Sequence, residues 1–304
     1  MLAKQLPCPR AKLGQISPDL KPPATVWITG ANGLIGNYLV QTAPRFAPQF
    51  TVRALTRADF DLLDFAAVRQ AFQRESPQAI IHCAAITVVA DAEQNPALAR
   101  RVNVATTQLL AELAAEIPFV FFSTDLVFDG RKGNYSETDA VNPLHLYGET
   151  KLAAEQSVLA NPRHLVVRTS INGGVSRSGT RSFNEQLRRA MQQAGPGMTL
   201  FTDEFRCPLP AAETARAVWE LLGKQCAGLY HVAGAERLSR RQIAQALLPR
   251  WPEIQMEIQA GSAKDFPGPP RALDTSFDIS KVQKELSAPL PGLNEWLART
   301  TADF

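Results

Sequence analysis

The sequence predicts an α/β protein built on a parallel sheet, and three observations carry that prediction. Short apolar runs alternate with helix-period segments from Val26 to Thr169. The first run opens onto a glycine string, TVWITGANGLIG, from Thr25 to Gly36. The alternation then stops at Asn172. Strands and helices in regular alternation imply parallel β-α-β units. The expected class is therefore α/β, a Rossmann-like doubly wound parallel sheet with a smaller α+β substrate lobe.

In the opening unit, Val26, Trp27 and Ile28 read as a buried strand, and Leu34, Ile35, Tyr38 and Leu39 as the apolar face of a helix. Between them, Gly30 permits a tight turn, Gly33 lets backbone approach a pyrophosphate, and Gly36 lets helix pack on strand. The helix N-terminus offers unpaired N–H groups to an anion. The spacing, GxxGxxG, is a variant of the dinucleotide fingerprint.

Further strands are expected at Phe50 to Thr56, Ala79 to Cys83, Phe119 to Ser123 and His164 to Thr169. Asp64 caps a helix running to Glu75, with Phe65, Val68 and Phe72 inward. Asn95-Pro96 opens another helix after a loop, and a third carries Tyr147, Lys151, Leu152 and Val158. Beyond Asn172, helices are expected at Phe183 to Gln193, Ala211 to Leu222, Ser239 to Leu248, Ser280 to Leu286 and Gly292 to Thr300. Strands are expected at Met198 to Thr202, Gly228 to Ala233, which returns to the main sheet, and Ile254 to Ile258. The implied organisation is a tail at 1–23, an NAD(P)-binding domain at 24–171 plus about 207–235, and a substrate-binding lobe at 172–206 plus about 236–304.

Composition narrows the function classes. A net charge of +3 on 304 residues argues against an extended nucleic-acid surface. No apolar run approaches the roughly 20 residues of a membrane span. The first residues lack the apolar core of a signal peptide, so a reduced, cytoplasmic setting is expected. Cys8, Cys83, Cys207 and Cys226 have no paired spacing, and no metal site is expected. His82, His164 and His231 border strand-like runs and read as structural, with His145 equally isolated.

Tyr147 and Lys151 are four apart on one helical face, and Ser123-Thr124 ends a buried strand upstream. A tyrosine of ordinary pKa is a poor acid or base at neutral pH. A neighbouring ammonium lowers it, and a threonine hydroxyl can hydrogen-bond a carbonyl oxygen as charge moves. With a nicotinamide held by the glycine turn, that set suits hydride transfer to or from a carbonyl.

TGANGLIG, HCAA, STDLVFDG, LYGETK and VVRTS, in that order, resemble the extended short-chain dehydrogenase/reductases. More closely, STDLVFDG is similar to STDYVFDG, LYGETKLAAE to VYGKSKLAGE and RALDTSFDISK to RPxxxSLDTSK of the dTDP-4-dehydrorhamnose reductase family. The similarity runs from about Val26 to Leu297. It implies that Thr124, Tyr147 and Lys151 are catalytic, with Tyr147 protonating a sugar C4 oxygen and Lys151 also holding the nicotinamide ribose. It implies that Gly30, Asn32, Gly33, Leu34, Ile35 and Gly36 form the pyrophosphate loop, and that Asp61 and Leu62 lie on the adenine side. Ala84, Ala85 and Thr87 match the loop after the third strand, Ser123 lies beside the nicotinamide, and Asn103 braces the active site. Asp125 and Arg271 match positions near a sugar nucleotide, with Arg206 added from the departing segment described next.

The departures cluster toward the substrate. Leu126 replaces Tyr, Ile171-Asn172-Gly173 replaces Trp-Val-Tyr, Arg206-Cys207-Pro208-Leu209 replaces G-x-P-T, and Arg271-Ala272 replaces Arg-Pro. The substrate therefore need not be dTDP-4-dehydrorhamnose. Among Arg177, Arg181, Arg188, Arg189 and Arg206, one or two are candidates to grip a diphosphate, while a solvated helix face accounts equally well for Arg188 and Arg189. Thr56-Arg57 puts no acid at the end of the second strand, and Arg57 suits a 2′-phosphate, which favours NADP(H) over NAD(H).

The leading reading is an NAD(P)H-dependent reductase of a nucleotide-linked 4-keto sugar. The alternative is a non-catalytic nucleotide-binding subunit resembling the β subunit of methionine adenosyltransferase. A dehydratase is disfavoured because Leu126 stands where dehydratases of this fold carry Glu. The expected partner is a small-molecule sugar nucleotide, with a homodimer expected by analogy.

Overall fold

The computed structural model describes residues 24–195 and 197–300, so the expected tail at 1–23, with Cys8, lies outside the described residues. The first half of the chain holds β1 (Ala24–Thr29), α1 (Leu34–Phe46), β2 (Phe50–Leu55), α2 (Phe65–Glu75) and β3 (Ala79–His82). Then come α3 (Val89–Gln94), α4 (Pro96–Arg100), α5 (Thr106–Leu113), β4 (Phe119–Thr124), α6 (Leu146–Leu159) and β5 (Leu165–Thr169). The second half holds β6 (Asn172–Gly173), α7 (Phe183–Gln193), β7 (Gly197–Phe201), β8 (Phe205–Arg206), β9 (Leu209–Pro210) and α8 (Ala211–Gly223). It closes with β10 (Gly228–Val232), β11 (Leu238–Ser239), α9 (Arg240–Leu247), β12 (Glu257–Gly261), α10 (Ser280–Gln283) and α11 (Leu293–Arg299).

Six strands form one sheet in the order β10-β5-β4-β3-β1-β2, all pairs parallel. The order reverses between β1 and β3, so the loops after these two strands diverge and open a crevice at their carboxyl ends. Both faces are buried, and alternate strand residues feed two cores. Val26, Ile28, Val120, Phe122, Leu165 and Val167 face one core, which includes Leu39 of α1 and Trp219 of α8. Trp27, Ile80, Phe119, Phe121 and Val166 face the other, with Val68 of α2, Leu110 of α5 and Ala154 of α6. The Trp219 indole N–H donates to the Leu39 carbonyl at 3.1 Å, fixing α8 against α1. A separate cluster of Met191, Ile243, Leu247, Trp251, Ile258 and Leu293 holds α7, α9, β12 and α11 together.

Local signals behave as the residues dictate. The Asp64 carboxylate accepts from Ala67 N–H at 3.0 Å and Asn95 from Leu98 N–H at 3.1 Å, each capping a helix start. Ser182 and Ser239 each open a helix with a reciprocal capping box. The expected strand at Ile254 to Ile258 is displaced to Glu257–Gly261, because the Ile254 N–H closes a turn onto the Trp251 carbonyl at 2.8 Å. The expected loop before Asn95 contains helix α3, and a π-helical turn, Arg101–Ala105, joins α4 to α5.

The histidines named above are structural in this fold. His82 Nδ1 lies 2.7 Å from the Thr29 hydroxyl, His164 Nε2 3.1 Å from the Ala114 carbonyl, and His231 Nδ1 3.0 Å from the Tyr135 carbonyl.

Candidate active site

The glycine turn sits at the carboxyl end of β1. Gly30 has φ +65°, and the Gly33 N–H donates to the Gly30 carbonyl at 2.8 Å, closing the turn. A Cβ on Gly30 would come within 2.7 Å of the Ala84 nitrogen, and one on Gly36 within 2.4 Å of the Gly30 oxygen. Only glycine allows β1, α1 and the loop after β3 to meet here. Gly33 is the N-cap of α1 and makes no side-chain cap, and no acid lies in the first turn. The Leu34, Ile35 and Gly36 N–H groups therefore project outward as the unpaired donors of a helix start, and Asn32 is the exposed crest of the turn.

The opposite wall is the loop after β3. The Ala84 N–H reaches the Thr29 hydroxyl at 3.4 Å, holding Ala84 and Ala85 across from the glycine turn, with Thr87 exposed beyond them. Asn103 fixes this loop. Its carbonyl oxygen accepts from the Ile86 N–H at 2.8 Å, and its amide donates to the Ile86 carbonyl and the Thr150 hydroxyl, both at 3.0 Å. The π-turn that holds Asn103 is an irregularity of the kind found at functional sites.

β4 delivers Ser123 and Thr124 to the same rim, and α6 delivers Tyr147 and Lys151. The start of α6 is held by Glu93 of α3, which accepts from the Leu146 N–H at 2.8 Å. Tyr147 is buried with Leu146, Ala92 and Ala99, against Ile86, Val89 and Leu126. Burial raises its phenol above the ordinary range, the Thr124 hydroxyl beside it pulls the other way, and Asp125 adds to the rise. The sequence-based expectation was an ammonium-lowered phenol. In the folded chain burial outweighs any such effect, and the phenol is raised.

The Lys151 ammonium lies 4.0 Å from the centre of the Phe121 ring. Burial brings its pKa down to about 7, against the pull of Glu155. Glu155, one turn further along α6, forms a buried two-point pair with Arg168 of β5, at 2.9 and 2.7 Å. Sequence reasoning missed this pair, although Glu four residues after Lys151 and Arg inside an apolar strand were the available signals. The Ser123 hydroxyl is buried at the same strand end and has no partner among the described residues.

In the segment between β2 and α2, the Asp61 carboxylate accepts from the Leu63 N–H at 2.9 Å. Asp61, Leu63, Asp64, Phe65 and Arg101 line an open cleft of about 590 Å³, with Leu62 half-buried at its edge. Arg57 is exposed in the turn after β2 and makes no ion pair among the described residues. Asp59, in that same turn, is engaged: it accepts from the Thr56 N–H and hydroxyl at 2.9 Å each and pairs with Arg53 at 2.9 Å.

The residues expected on the sugar side are joined by a carboxylate the sequence did not single out. Glu204 is fully buried and contacts Arg240 at 2.8 Å, Arg271 at 2.6 Å and Arg206 at 3.2 Å. Burial raises its pKa, but Arg240, Arg271 and Arg206 bring it down to about 2. Asp125 accepts from Ser170 and Thr275, both at 2.9 Å, and lies 3.6 Å from Arg206. Asp125 and Arg206 therefore sit beneath the surface, not on it. Arg271 keeps a third of its side chain exposed, with its guanidinium beside the edge-to-face pair of Phe201 and Phe266 rings. Arg188, further along, pairs with Glu253.

A parallel sheet whose first strand opens through a glycine turn into a helix, with Thr124 at a strand end and Tyr147 and Lys151 on the next helix, has the arrangement of the extended short-chain dehydrogenase/reductase class. The RmlD substrate binding domain model matches residues 24–304. The chain belongs to that family, the dTDP-4-dehydrorhamnose reductase family. It is 31% identical to a dTDP-4-dehydrorhamnose reductase of Sinorhizobium fredii, over 88% of this chain and 93% of that one. It is 29% identical to methionine adenosyltransferase 2 subunit beta of Xenopus laevis, over 84% and 81%. Its fold matches the structure of dTDP-4-dehydrorhamnose reductase from Bacillus anthracis in complex with NADP, with TM-score 0.81, 25% identity and coverage of 91% and 98%. No helix among the described residues is long and apolar enough to cross a membrane.

Proposed function

We propose that the chain is an NADP(H)-dependent reductase that converts a nucleotide-linked 4-keto sugar to the corresponding alcohol. The observation that carries this is that β4 ends on Thr124, whose hydroxyl lies beside the Tyr147 phenol, while the helix that carries Tyr147 also carries Lys151 one turn on. Burial makes this phenol a weaker acid than an exposed tyrosine, so its proton moves only as negative charge develops on the carbonyl oxygen.

The residues present fit the cofactor. The first turn of α1 is uncapped, and the Ser123 hydroxyl is buried at the strand end with no partner among the described residues. Leu34, Ile35 and Gly36 would present N–H groups to the pyrophosphate, Asp61 and Leu62 would flank the adenine, and Ala84, Ala85 and Thr87 would border the ribose. Lys151 would reach the nicotinamide ribose. Arg57, uncommitted while Asp59 is engaged, supports NADP(H) over NAD(H). The bound nicotinamide supplies the hydride.

Tyr147 gives its proton to the carbonyl oxygen as charge develops there, and the Thr124 hydroxyl donates a hydrogen bond to that oxygen. Lys151, at a pKa of about 7, holds a proton in part of the molecules at neutral pH and restores it toward the phenolate. Leu126, packed against the Tyr147 cluster where the family pattern has Tyr, makes that wall of the pocket apolar. Arg271, a third exposed beside the Phe201 and Phe266 rings and held by Glu204, is the cation proposed for a substrate diphosphate, with Arg206 and Asp125 buried behind that carboxylate.

A second reading, a nucleotide-binding regulatory subunit, draws support from the similarity to methionine adenosyltransferase 2 subunit beta. A panel of nucleotide-linked 4-keto sugars and simple ketones, followed by nicotinamide absorbance with NADPH and with NADH, separates the two. Oxidation of NADPH by one of the sugar nucleotides is expected. Cofactor binding with no oxidation by any of them would favour the subunit.

A further inference from the structure

The proposed cofactor site is built from the first half of the chain, yet one cation reaches it from the second. Arg177, in the segment between β6 and α7, donates from Nη1 to the Asn32 side-chain oxygen at 2.9 Å. The two residues are 145 positions apart in sequence, and both are exposed. Asn32 is the crest of the glycine turn. An amide oxygen does not neutralise a guanidinium, and Arg177 has no carboxylate partner among the described residues.

The position of Arg177 is fixed from both sides. The Val175 N–H donates to the Tyr38 hydroxyl at 3.0 Å, which seats the segment on α1. Gly174 adopts φ +140°, and a Cβ there would meet that hydroxyl at 2.8 Å, so only glycine lets the chain lie this close. Internally the segment is curled around Glu185. That carboxylate accepts from the Ser176 N–H at 2.7 Å, the Ser176 hydroxyl at 2.6 Å, and the Arg181 and Ser182 N–H groups at 2.9 Å each. The loop is thus cross-braced and holds its arginine against the glycine turn.

Two independent features then point to the same missing charge. The start of α1 projects uncapped N–H groups with no acid nearby, and a pinned, unneutralised guanidinium stands at the crest of the same turn. We propose that Arg177 is a clasp for the pyrophosphate of the dinucleotide, held ready by the seating of the 174–182 segment on α1. The inference rests on the reading of this site as a dinucleotide site, and adds to it a ligand supplied by the second half of the chain. Its chemistry is planar two-point recognition of a phosphate oxygen pair, which lysine does not reproduce.

The test is equilibrium titration of NADPH and of NADH, by protein fluorescence, into the wild-type chain, Arg177→Ala and Arg177→Lys. Melting temperatures check that each variant is folded. Arg177→Ala is expected to weaken both dinucleotides by about tenfold or more, as for loss of a charge-assisted hydrogen bond. It should also flatten the salt dependence of binding. Arg177→Lys is expected between the two. Unchanged affinity in Arg177→Ala would overturn the clasp and leave Arg177 a strut between the halves of the chain. Loss with NADPH alone would overturn the pyrophosphate assignment in favour of the 2′-phosphate. If the wild-type chain binds neither dinucleotide, the reading of the whole site falls, and the clasp with it.

Discussion

The Asn103 side-chain amide donates to the Thr150 hydroxyl at 3.0 Å, and Thr150 directly precedes Lys151. Through its two bonds to Ile86, the same side chain also holds the loop that faces the glycine turn. One buried amide thus sets the spacing between the wall of the proposed cofactor site and the helix that carries Tyr147 and Lys151. Asn103→Ala is expected to leave the Ile86 N–H and carbonyl unpaired and to lower stability by about 1–3 kcal/mol. Because Asn103 positions groups and touches no reacting atom, kcat should fall more than the affinity for NADPH. Urea unfolding and steady-state kinetics on the same variant check both parts.

Lys151 predicts a particular pH dependence. Burial holds its pKa near 7, well below the 10.5 of an exposed lysine. The folded chain therefore binds fewer protons than the unfolded chain between about pH 7 and 10.5, and unfolding free energy should rise with pH across that window. The cost of the buried charge is fully present below pH 7. Lys151→Met should abolish the rise, which denaturant midpoints at pH 7 and pH 9.5 would reveal. Reduction by the wild-type chain should decline as pH passes through about 7, because the ammonium that restores the Tyr147 proton is lost. A flat rate profile there would remove Lys151 from the proton path.

Arg57 decides cofactor choice in this account. Arg57→Glu should weaken NADPH binding by about tenfold or more while leaving NADH binding nearly unchanged, since only NADPH carries the 2′-phosphate. Titration of both dinucleotides into the variant checks this. Unchanged NADPH affinity would mean that Arg57 is not the phosphate partner.

The parts of this molecule that were legible in the sequence are those governed by short-range rules. Alternating apolar runs specify strands buried on both faces, as Val26, Trp27 and Ile28 show by dividing between two cores. Asp64, Asn95 and Ser239 mark helix starts because a cap is a bond across three residues. The placements of Thr124 at a strand end and of Tyr147 and Lys151 on one helix were legible because each element could be placed separately. What escaped depends on distant partners. Glu204 lies in an irregular segment, and only the folded chain brings Arg206, Arg240 and Arg271 around it. The direction of the Tyr147 shift follows from the apolar cluster around it, which draws on α3, α4 and the 84–88 loop. β12 moved because Ile254 joined a turn and an apolar cluster instead of a ladder.

The most direct test of the central claim is Tyr147→Phe, which removes one oxygen from a buried site and leaves the ring in place. NADPH titration and single-turnover reduction of an accepted 4-keto sugar nucleotide should be measured on the wild-type chain and the variant together. The account predicts NADPH affinity within a factor of about two of wild type, and carbonyl reduction slowed by about a hundredfold or more, as expected for loss of a general acid. Reduction by the variant at the wild-type rate would contradict it.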